Sequence, residues 1–212
     1  MKNKIFRGTH FYGLPLSSEQ ESDYFLSDLQ YIFTGLNHYI NSRSKTLFVR
    51  ANLTLPIPLQ EKHKEVFQHF LDSLDFKLKY KNLDPLIFAC RERCPTNDNI
   101  HFHIALLLNG SKIEFINKVM IMLQILWSHS LKEHYLRGHV NFNTNSKKLT
   151  NGIMITNTKD QSSLSRFDLP NRLSQVTSMI SYLAKTHSRM KMSGSSGFFK
   201  LNFPKHESLN YD

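Results

Sequence analysis

The segment IHFHIALLLNG, residues 100–110, decides how the rest of the chain is interpreted. Successive side chains of a β-strand point to opposite faces of a sheet. One face of this segment then carries an unbroken apolar row: Ile100, Phe102, Ile104, Leu106 and Leu108. The other face begins with His101 and His103. We therefore predict a strand with one face in the core and two imidazoles side by side on the other.

The preceding apolar run PLIFACRER, residues 85–93, predicts a partner strand, because the turn-rich segment CPTNDN joins the two as a hairpin. In that hairpin Glu92 can lie opposite the histidine pair. Two imidazoles and a carboxylate form a mixed nitrogen and oxygen site that suits Mg²⁺ or Mn²⁺ better than structural zinc. A surface ion pair of Glu92 with Arg91 or Arg93 is the alternative interpretation. Among 11 histidines, a His-X-His pair can also arise by chance.

A zinc site is the rival metal hypothesis, because Cys90, Cys94, His101 and His103 spell C-x3-C-x6-H-x-H. The spacer of six residues is unusual for a zinc finger. Cys90 also lies within an apolar run, which is typical of a small buried hydrophobic residue. The chain has only these two cysteines, which excludes a disulfide framework.

The rest of the chain predicts an α+β fold in one domain, with a central, mostly antiparallel sheet flanked by helices. Periodicity of 3.6 residues predicts helices over about 18–42, 59–80, 113–131 and 171–190. Alternation and turn signals predict strands over 46–56, 85–93, 100–110, 137–143 and 152–157. We expect a linker with a stop at 161–170 and an irregular segment after residue 190.

The final helix carries a tyrosine outside its apolar stripe. That stripe consists of Leu173, Val176, Ile180, Leu183 and Ala184. Tyr182 instead shares a polar face with Ser178, Lys185 and Arg189. Because packing does not require it there, Tyr182 is either an idle surface residue or a nucleophile whose phenolate the nearby cations stabilise.

Charge and hydropathy narrow the class of partner. Lys and Arg number 27 against 17 acidic residues, a net charge of +10, which favours nucleic acid as the partner over a membrane surface. No run approaches the roughly 18 apolar residues of a membrane span. The N-terminal residues lack the apolar region of a signal peptide, so we expect a cytoplasmic protein without a membrane partner.

Three stretches resemble a known superfamily. HFHIALLLNG is similar to the histidine–hydrophobe–histidine motif of HUH endonucleases, which include rolling-circle replication initiators, relaxases and single-tyrosine transposases. Three segments occur in the order seen in replication initiators of filamentous phages (inoviruses) and related prophages: LFVRANLTLP, then RER with HFHIALLLNG, then SYLAKTHSR. The resemblance spans roughly residues 45–195. It therefore implies an endonuclease domain over 45–195, an N-terminal helical extension at 1–44 and a C-terminal tail at 196–212.

The resemblance implies a five-stranded antiparallel sheet with a central histidine strand and a tyrosine delivered by a facing helix. His101 and His103 would be metal ligands and Glu92 a third ligand for Mg²⁺ or Mn²⁺. Tyr182 would be the nucleophile, and Lys185, one turn later, would orient it or steady the phosphate. The implied activity is nicking and rejoining of single-stranded DNA through a 5′-phosphotyrosine, in a bacterial cytoplasm. It would start rolling-circle replication of a phage, prophage or plasmid.

The implied substrate is single-stranded DNA or a hairpin at a replication origin. Candidate DNA contacts are Arg50, Asn52, Arg91, Arg93, Ser178 and Arg189. The chain departs from the family at Asn52, where an aspartate is expected. It also lacks the G-x-x-x-x-G-K-[ST] motif, so a host helicase would have to unwind the duplex. The open alternatives are a catalytically silent DNA-binding protein on this fold, a single-tyrosine transposase and a zinc-stabilised regulator.

Overall fold

The structure is a computed structural model, which describes residues 4–17, 22–94, 99–113, 115–132, 139–142, 152–157, 163–186 and 197–203. The helices are α1 (Leu26–Asn41), α2 (His63–Tyr80), α3 (Ile116–Lys132) and α4 (Ser163–Ser181). The short N-terminal strands are β1 (Ile5–Gly8), β2 (His10–Phe11), β3 (Leu14–Pro15) and β4 (Ser22–Phe25). The longer strands and their shorter neighbours are β5 (Lys45–Thr54), β6 (Leu86–Arg93), β7 (Ile100–Asn109), β8 (His139–Asn141), β9 (Gly152–Thr156) and β10 (Phe198–Leu201).

One sheet organises the fold. Its strand order is β10-β6-β7-β5-β8, and β9 also pairs with β5, giving six strands. Every pairing in this sheet is antiparallel. The predicted α+β fold with a central antiparallel sheet is therefore confirmed, and the histidine strand β7 lies between β6 and β5. The expected five strands become six because β10 adds to the edge of β6.

The apolar row of β7 lies in the core that α2 and α3 cover, as the alternation predicted. Ile100, Phe102, Ile104, Leu106 and Leu108 are all buried there. The ring of Phe102 stacks on that of Phe67 from α2, with centroids 3.9 Å apart. Trp127 from α3 packs edge-on against Phe70 of α2. This core fixes one face of β7 and so commits the histidines to the other.

The second face of the sheet is covered by α1 and α4. A separate core there joins Leu29, Ile32 and Leu36 of α1 to Val176 and Ile180 of α4. The helix α1 approaches the sheet closely at Gly35, where an added Cβ would lie 2.8 Å from the ring of Phe88. Because α4 contacts β5 and the turn after it contacts β6 on this face, the fold brings the residues that follow α4 next to the histidines.

Two predicted helix boundaries are wrong. A helix was expected from about residue 18, but Ser22–Phe25 form strand β4, which pairs with β1. A linker was expected at 161–170, but α4 begins at Ser163 and contains Pro170. An interior proline costs one helical hydrogen bond. Leu169 and Leu173, which pack against the second core, offset that cost.

The last helix also ends earlier than expected. α4 stops at Ser181 and continues as a 3₁₀ turn over Tyr182–Ala184. Lys185 is already extended, with φ −60° and ψ 145°, and it bridges to Tyr24. This pairing with β4 replaces the helical hydrogen bonds that the periodicity predicted. The expected helical residues 187–190 lie outside the described part of the chain.

The prediction that the C-terminal segment is irregular is wrong for Phe198–Leu201. These residues form β10, paired with β6 from Phe198 opposite Cys90 to Leu201 opposite Ile87. Phe198 packs on Phe88 and Phe199 packs on Phe67, on opposite faces of the sheet. The preceding glycines and serines hid this short alternating strand. Within the described residues, no helix is both long and apolar enough to cross a membrane.

Candidate metal centre

The hairpin of β6 and β7 brings three ligand-type side chains together. Its register places Glu92 opposite His101 and Cys90 opposite His103, so the predicted juxtaposition is confirmed. One carboxylate oxygen, Glu92 Oε2, lies 3.0 Å from His103 Nε2 and 3.5 Å from His101 Nε2. One ligand atom from each residue lies within 4.8 Å of the others. This group can hold a metal ion.

Burial and hydrogen bonding set the charge of these groups. Burial raises the pKa of Glu92, but the hydrogen bonds of its carboxylate with His101 and His103 outweigh that and hold it below its usual value. The same hydrogen bond to Glu92 raises the pKa of His101. Burial lowers the pKa of His103, of which 5% is exposed. At neutral pH the site therefore holds an ionised carboxylate beside a neutral imidazole, the forms that bind metals.

Asn52 fixes the orientation of His103. It lies opposite His103 in the pairing of β5 with β7, and its side-chain oxygen Oδ1 contacts His103 Nδ1. Because Oδ1 only accepts hydrogen bonds, Nδ1 carries the hydrogen and the Nε2 lone pair faces the metal position. A metal-bound histidine is commonly held this way by a partner on its other nitrogen. Sequence reasoning grouped Asn52 with the DNA contacts and missed this role.

The resulting arrangement fits a cation. The 3.0 Å contact of His103 Nε2 with Glu92 Oε2 is a hydrogen bond only while Nε2 is protonated; in the neutral ring with Nδ1 hydrogenated, the Nε2 lone pair faces Oε2 instead. Two facing acceptors repel each other unless a proton or a metal ion lies between them. Since burial lowers the pKa of His103, a metal ion suits this position better than a proton. The donor set of two imidazoles and one carboxylate leaves ligand positions open, as in catalytic rather than structural sites.

Tyr182 lies directly over this group. The turn after α4 places its ring 4.9 Å from that of His103, and its hydroxyl Oη donates to Glu92 Oε2 at 3.4 Å. Burial and the negative charge of Glu92 raise the pKa of Tyr182 to about 12. The predicted proximity of the tyrosine to the histidine pair is thus observed. Without a cation on Glu92, the phenol is a weaker acid than free tyrosine.

Two cations flank Tyr182. The guanidinium of Arg50 lies 4.5 Å from the centre of its ring, and the ammonium of Lys185 lies 5.4 Å from it. Arg50 Nη1 also donates to the main-chain oxygen of Met179 at 3.2 Å. Burial lowers the pKa of Lys185. The structure thus brings Lys185 to the tyrosine as predicted and places Arg50 beneath it.

Among the described residues, two of the remaining sequence-predicted DNA contacts, Arg91 and Arg93, lie away from this group. Arg91 and Arg93 alternate with Glu92 and so point to the opposite face of the sheet. Arg91 is buried there and Nη1 donates to His63 Nε2 at 2.7 Å. Ser178 is half-buried on α4, where its main-chain oxygen accepts from Ser181. Arg189 lies outside the described residues.

The cysteines do not form the rival zinc site. Cys90 is buried, and its thiol donates to Glu92 Oε1 at 3.7 Å. The metal-capable group found among the described residues contains Glu92 and the two histidines but neither cysteine. Cys90 therefore orients the carboxylate through its second oxygen, a role that the apolar surroundings of this residue in sequence did not suggest.

Comparison with known proteins gives a family. The family model of the YagK/YfjJ C-terminal domain matches residues 6–198, which span the metal group, Tyr182 and every strand of the sheet up to the start of β10. Searches of the curated proteins and of the solved structures found no match. A match over this much of the chain shows the family, and the chain therefore belongs to the YagK/YfjJ C-terminal domain family.

Proposed function

We propose that this protein is a single-tyrosine HUH endonuclease that nicks and rejoins single-stranded DNA, initiating rolling-circle replication of a phage, prophage or plasmid. One observation carries the proposal: the hydroxyl of Tyr182 contacts the same carboxylate oxygen that both histidines approach. A tyrosine on a metal-capable group, in a chain of net charge +10, suits transfer of a DNA phosphate to the phenol.

Glu92, His101 and His103 would hold the ion, Mg²⁺ or Mn²⁺. Once bound, that ion supplies Lewis-acid polarisation of the scissile phosphate and offsets its negative charge. Asn52 and Cys90 keep the ligands in place, through His103 Nδ1 and Glu92 Oε1 respectively. These contacts form a site whose ligand atoms need little rearrangement on binding.

The transfer itself conserves bonds. Tyr182 Oη attacks the phosphorus in line, the bond from phosphorus to the 3′-oxygen breaks, and a 5′-phosphotyrosine forms. The phenol loses one proton and the departing 3′-oxygen gains one, so the balance requires no nucleotide cofactor. Lys185 and Arg50, the cations beside the ring, favour negative charge on the attacking oxygen. A later 3′-hydroxyl reverses the step and reseals the strand.

The substrate would be single-stranded DNA or a hairpin at a replication origin, because a splayed backbone can reach a site on the face of a sheet. The sequence holds no nucleotide-binding loop of the G-x-x-x-x-G-K-[ST] type. A host helicase would be the partner that unwinds the duplex.

A protein–DNA adduct tests this function. The purified protein is incubated with Mn²⁺ and a mixed pool of labelled single-stranded oligonucleotides, then run on a denaturing gel. We expect an adduct with the wild type and with Tyr31→Phe, whose exposed ring contacts Phe203 away from the site. Tyr182→Phe and His103→Ala should give none. Adducts that persist in Tyr182→Phe would refute the proposal.

A catalytically silent DNA-binding protein is the second candidate, since the high pKa of Tyr182 would then be its permanent state. It predicts no adduct with any oligonucleotide and DNA affinity that is the same with and without Mn²⁺. An adduct from the wild type excludes it.

A further inference from the structure

Arg50 is a buried cation beside Tyr182, and its role can be defined more closely than as one of two positive charges near the ring. It lies in the middle of β5, opposite Ala105, and only 8% of it is exposed. On the sheet face it shares with Asn52, it lies beneath the ring of Tyr182. A guanidinium stays protonated at any ordinary pH, so this is a permanent positive charge inside the protein.

That charge forms no direct ion pair in the part of the chain that the structure describes, although the nearby Cys90, Tyr182 and Glu92 raise the pKa of Arg50 against the larger, lowering effect of burial. The ion pairs found there do not include Arg50. Its Nε atom is buried and has no hydrogen-bond partner among the described residues. Its contacts are the ring of Tyr182 at 4.5 Å and the main-chain oxygen of Met179 at 3.2 Å.

A purely structural role explains this arrangement poorly. A buried charge that forms no direct ion pair destabilises a fold, and an apolar side chain of similar volume would fill the space with less loss of stability. Because burying Arg50 destabilises the fold, its presence indicates a state of the protein in which negative charge forms beside it. Tyr182 lies on that side together with Glu92 and Cys90, so negative charge on the attacking tyrosine oxygen would arise beside Arg50.

We propose that Arg50 is the positioning residue of the nucleophile: it holds the ring of Tyr182 from below, anchors the end of α4 through Met179, and supplies the countercharge for the attacking oxygen. The inference rests on the proposed function. The two cations then have different roles. Lys185 is half-exposed and can contact the DNA, whereas Arg50 acts through Tyr182.

The planar guanidinium explains why arginine is used here. It can lie against an aromatic face while its Nη1 donates sideways to a carbonyl, as it does to Met179. A lysine keeps the charge but offers no flat surface to the ring. Arg50→Lys should therefore keep part of the function and Arg50→Met almost none.

The test compares single-turnover rates of adduct formation at saturating DNA with the dissociation constants of the same DNA. We expect Arg50→Met to slow adduct formation by roughly a hundredfold and Arg50→Lys by roughly tenfold. DNA affinity should change less than about threefold, because a buried side chain does not meet the substrate. The matched control is Arg43→Met, which removes another arginine–tyrosine contact, to Tyr39 at 3.7 Å, and should keep the wild-type rate.

An unchanged rate in Arg50→Met, or a loss of affinity at unchanged rate, would overturn the inference. If Arg50→Met does not fold, Arg50→Lys decides by the same comparison with the wild type. If the wild type itself forms no adduct, the proposed function has failed. The placement of Arg50 against the ring of Tyr182 can then still be tested by NMR. In protein with ¹³C-labelled tyrosine rings, the Tyr182 resonance, assigned with Tyr182→Phe, must move in the Arg50 variant and stay in the Arg43 variant. A resonance that stays in both contradicts the placement.

Discussion

His103 is held at both ring nitrogens, and this makes its orientation the most constrained feature of the site. Asn52 contacts Nδ1 and Glu92 faces Nε2. The sequence predicted the second contact, because Glu92 and the histidines belong to one hairpin. It could not predict the first, since Asn52 lies about fifty residues away on β5 and only the register of β5 with β7 brings it opposite His103.

Removal of the Asn52 amide should therefore weaken metal binding without removing a ligand. We expect Asn52→Ala to raise the dissociation constant for Mn²⁺ by about 10- to 100-fold, the usual effect of losing a partner of a metal-bound histidine. Titration calorimetry measures this. Asn37→Ala, on the exposed face of α1, is the control and should bind as the wild type does. Equal affinities for the Asn52 and Asn37 variants would contradict the role of Asn52.

The pH dependence of metal binding follows from His101. Its pKa lies above the usual 6.5 because the carboxylate of Glu92 favours the protonated imidazole. The metal needs the neutral ring, so binding releases that proton, and affinity falls as pH drops through the raised pKa. We expect a loss of about tenfold per pH unit, beginning above about pH 6.5. Calorimetric titrations from about pH 8 to about pH 5 test this. Affinity that stays constant over that range would exclude His101 as a ligand.

At the scale of the elements, the hairpin β6–β7 was predictable and the chain ends were not. Alternation fixed which residues of β7 face the core, and the turn signals fixed its partner strand. β4 and β10 are each only four residues long, too short for periodicity to show. The continuation of α4 through Pro170 depends on packing against α1 and the sheet, which no local pattern contains. Arg50 and Arg91 likewise become buried only because helices cover both faces of the sheet, which the local sequence does not show.

The apolar row of β7 should carry much of the stability, because it holds the histidine strand in place. Phe102 is fully buried and stacked on Phe67. We expect Phe102→Ala to lower the free energy of unfolding by about 3–5 kcal/mol, measured by urea denaturation. Phe76→Ala is the matched control: this side chain is 71% exposed and should change stability by less than about 0.5 kcal/mol. Similar losses in both variants would mean that the Phe102 stack does not support the core.

In the whole molecule, the two faces of the sheet have different roles. α2 and α3 close one face with an apolar core, while α1 and α4 close the other around the metal group and its tyrosine. Composition predicted a basic protein, and the order of the helix and strand patterns predicted the α+β class. Arg91 and Arg93 became candidate DNA contacts because of their charge, although alternation along β6 already places them on the face opposite Glu92.

Metal binding should also stabilise the whole fold, because the three ligands belong to both strands of the central hairpin. Mn²⁺ at about one hundred times its dissociation constant should add about 2.7 kcal/mol to the free energy of unfolding. Thermal unfolding with Mn²⁺ and with a chelator measures this. Glu92→Gln keeps the shape of the side chain but loses its charge, and its unfolding temperature should not respond to the metal. A wild type that ignores Mn²⁺ would argue against the site.

In the proposed reaction Tyr182 becomes bonded to a 5′-phosphate of DNA. The most direct measurement is mass spectrometry of the adduct after nuclease and trypsin digestion, with oligonucleotides labelled at either end to assign polarity. We expect a nucleotide 5′-phosphate on the peptide that contains Tyr182, with a free 3′-hydroxyl on the released fragment. A modification on any other residue, or linkage to the 3′ side of the break, would contradict it.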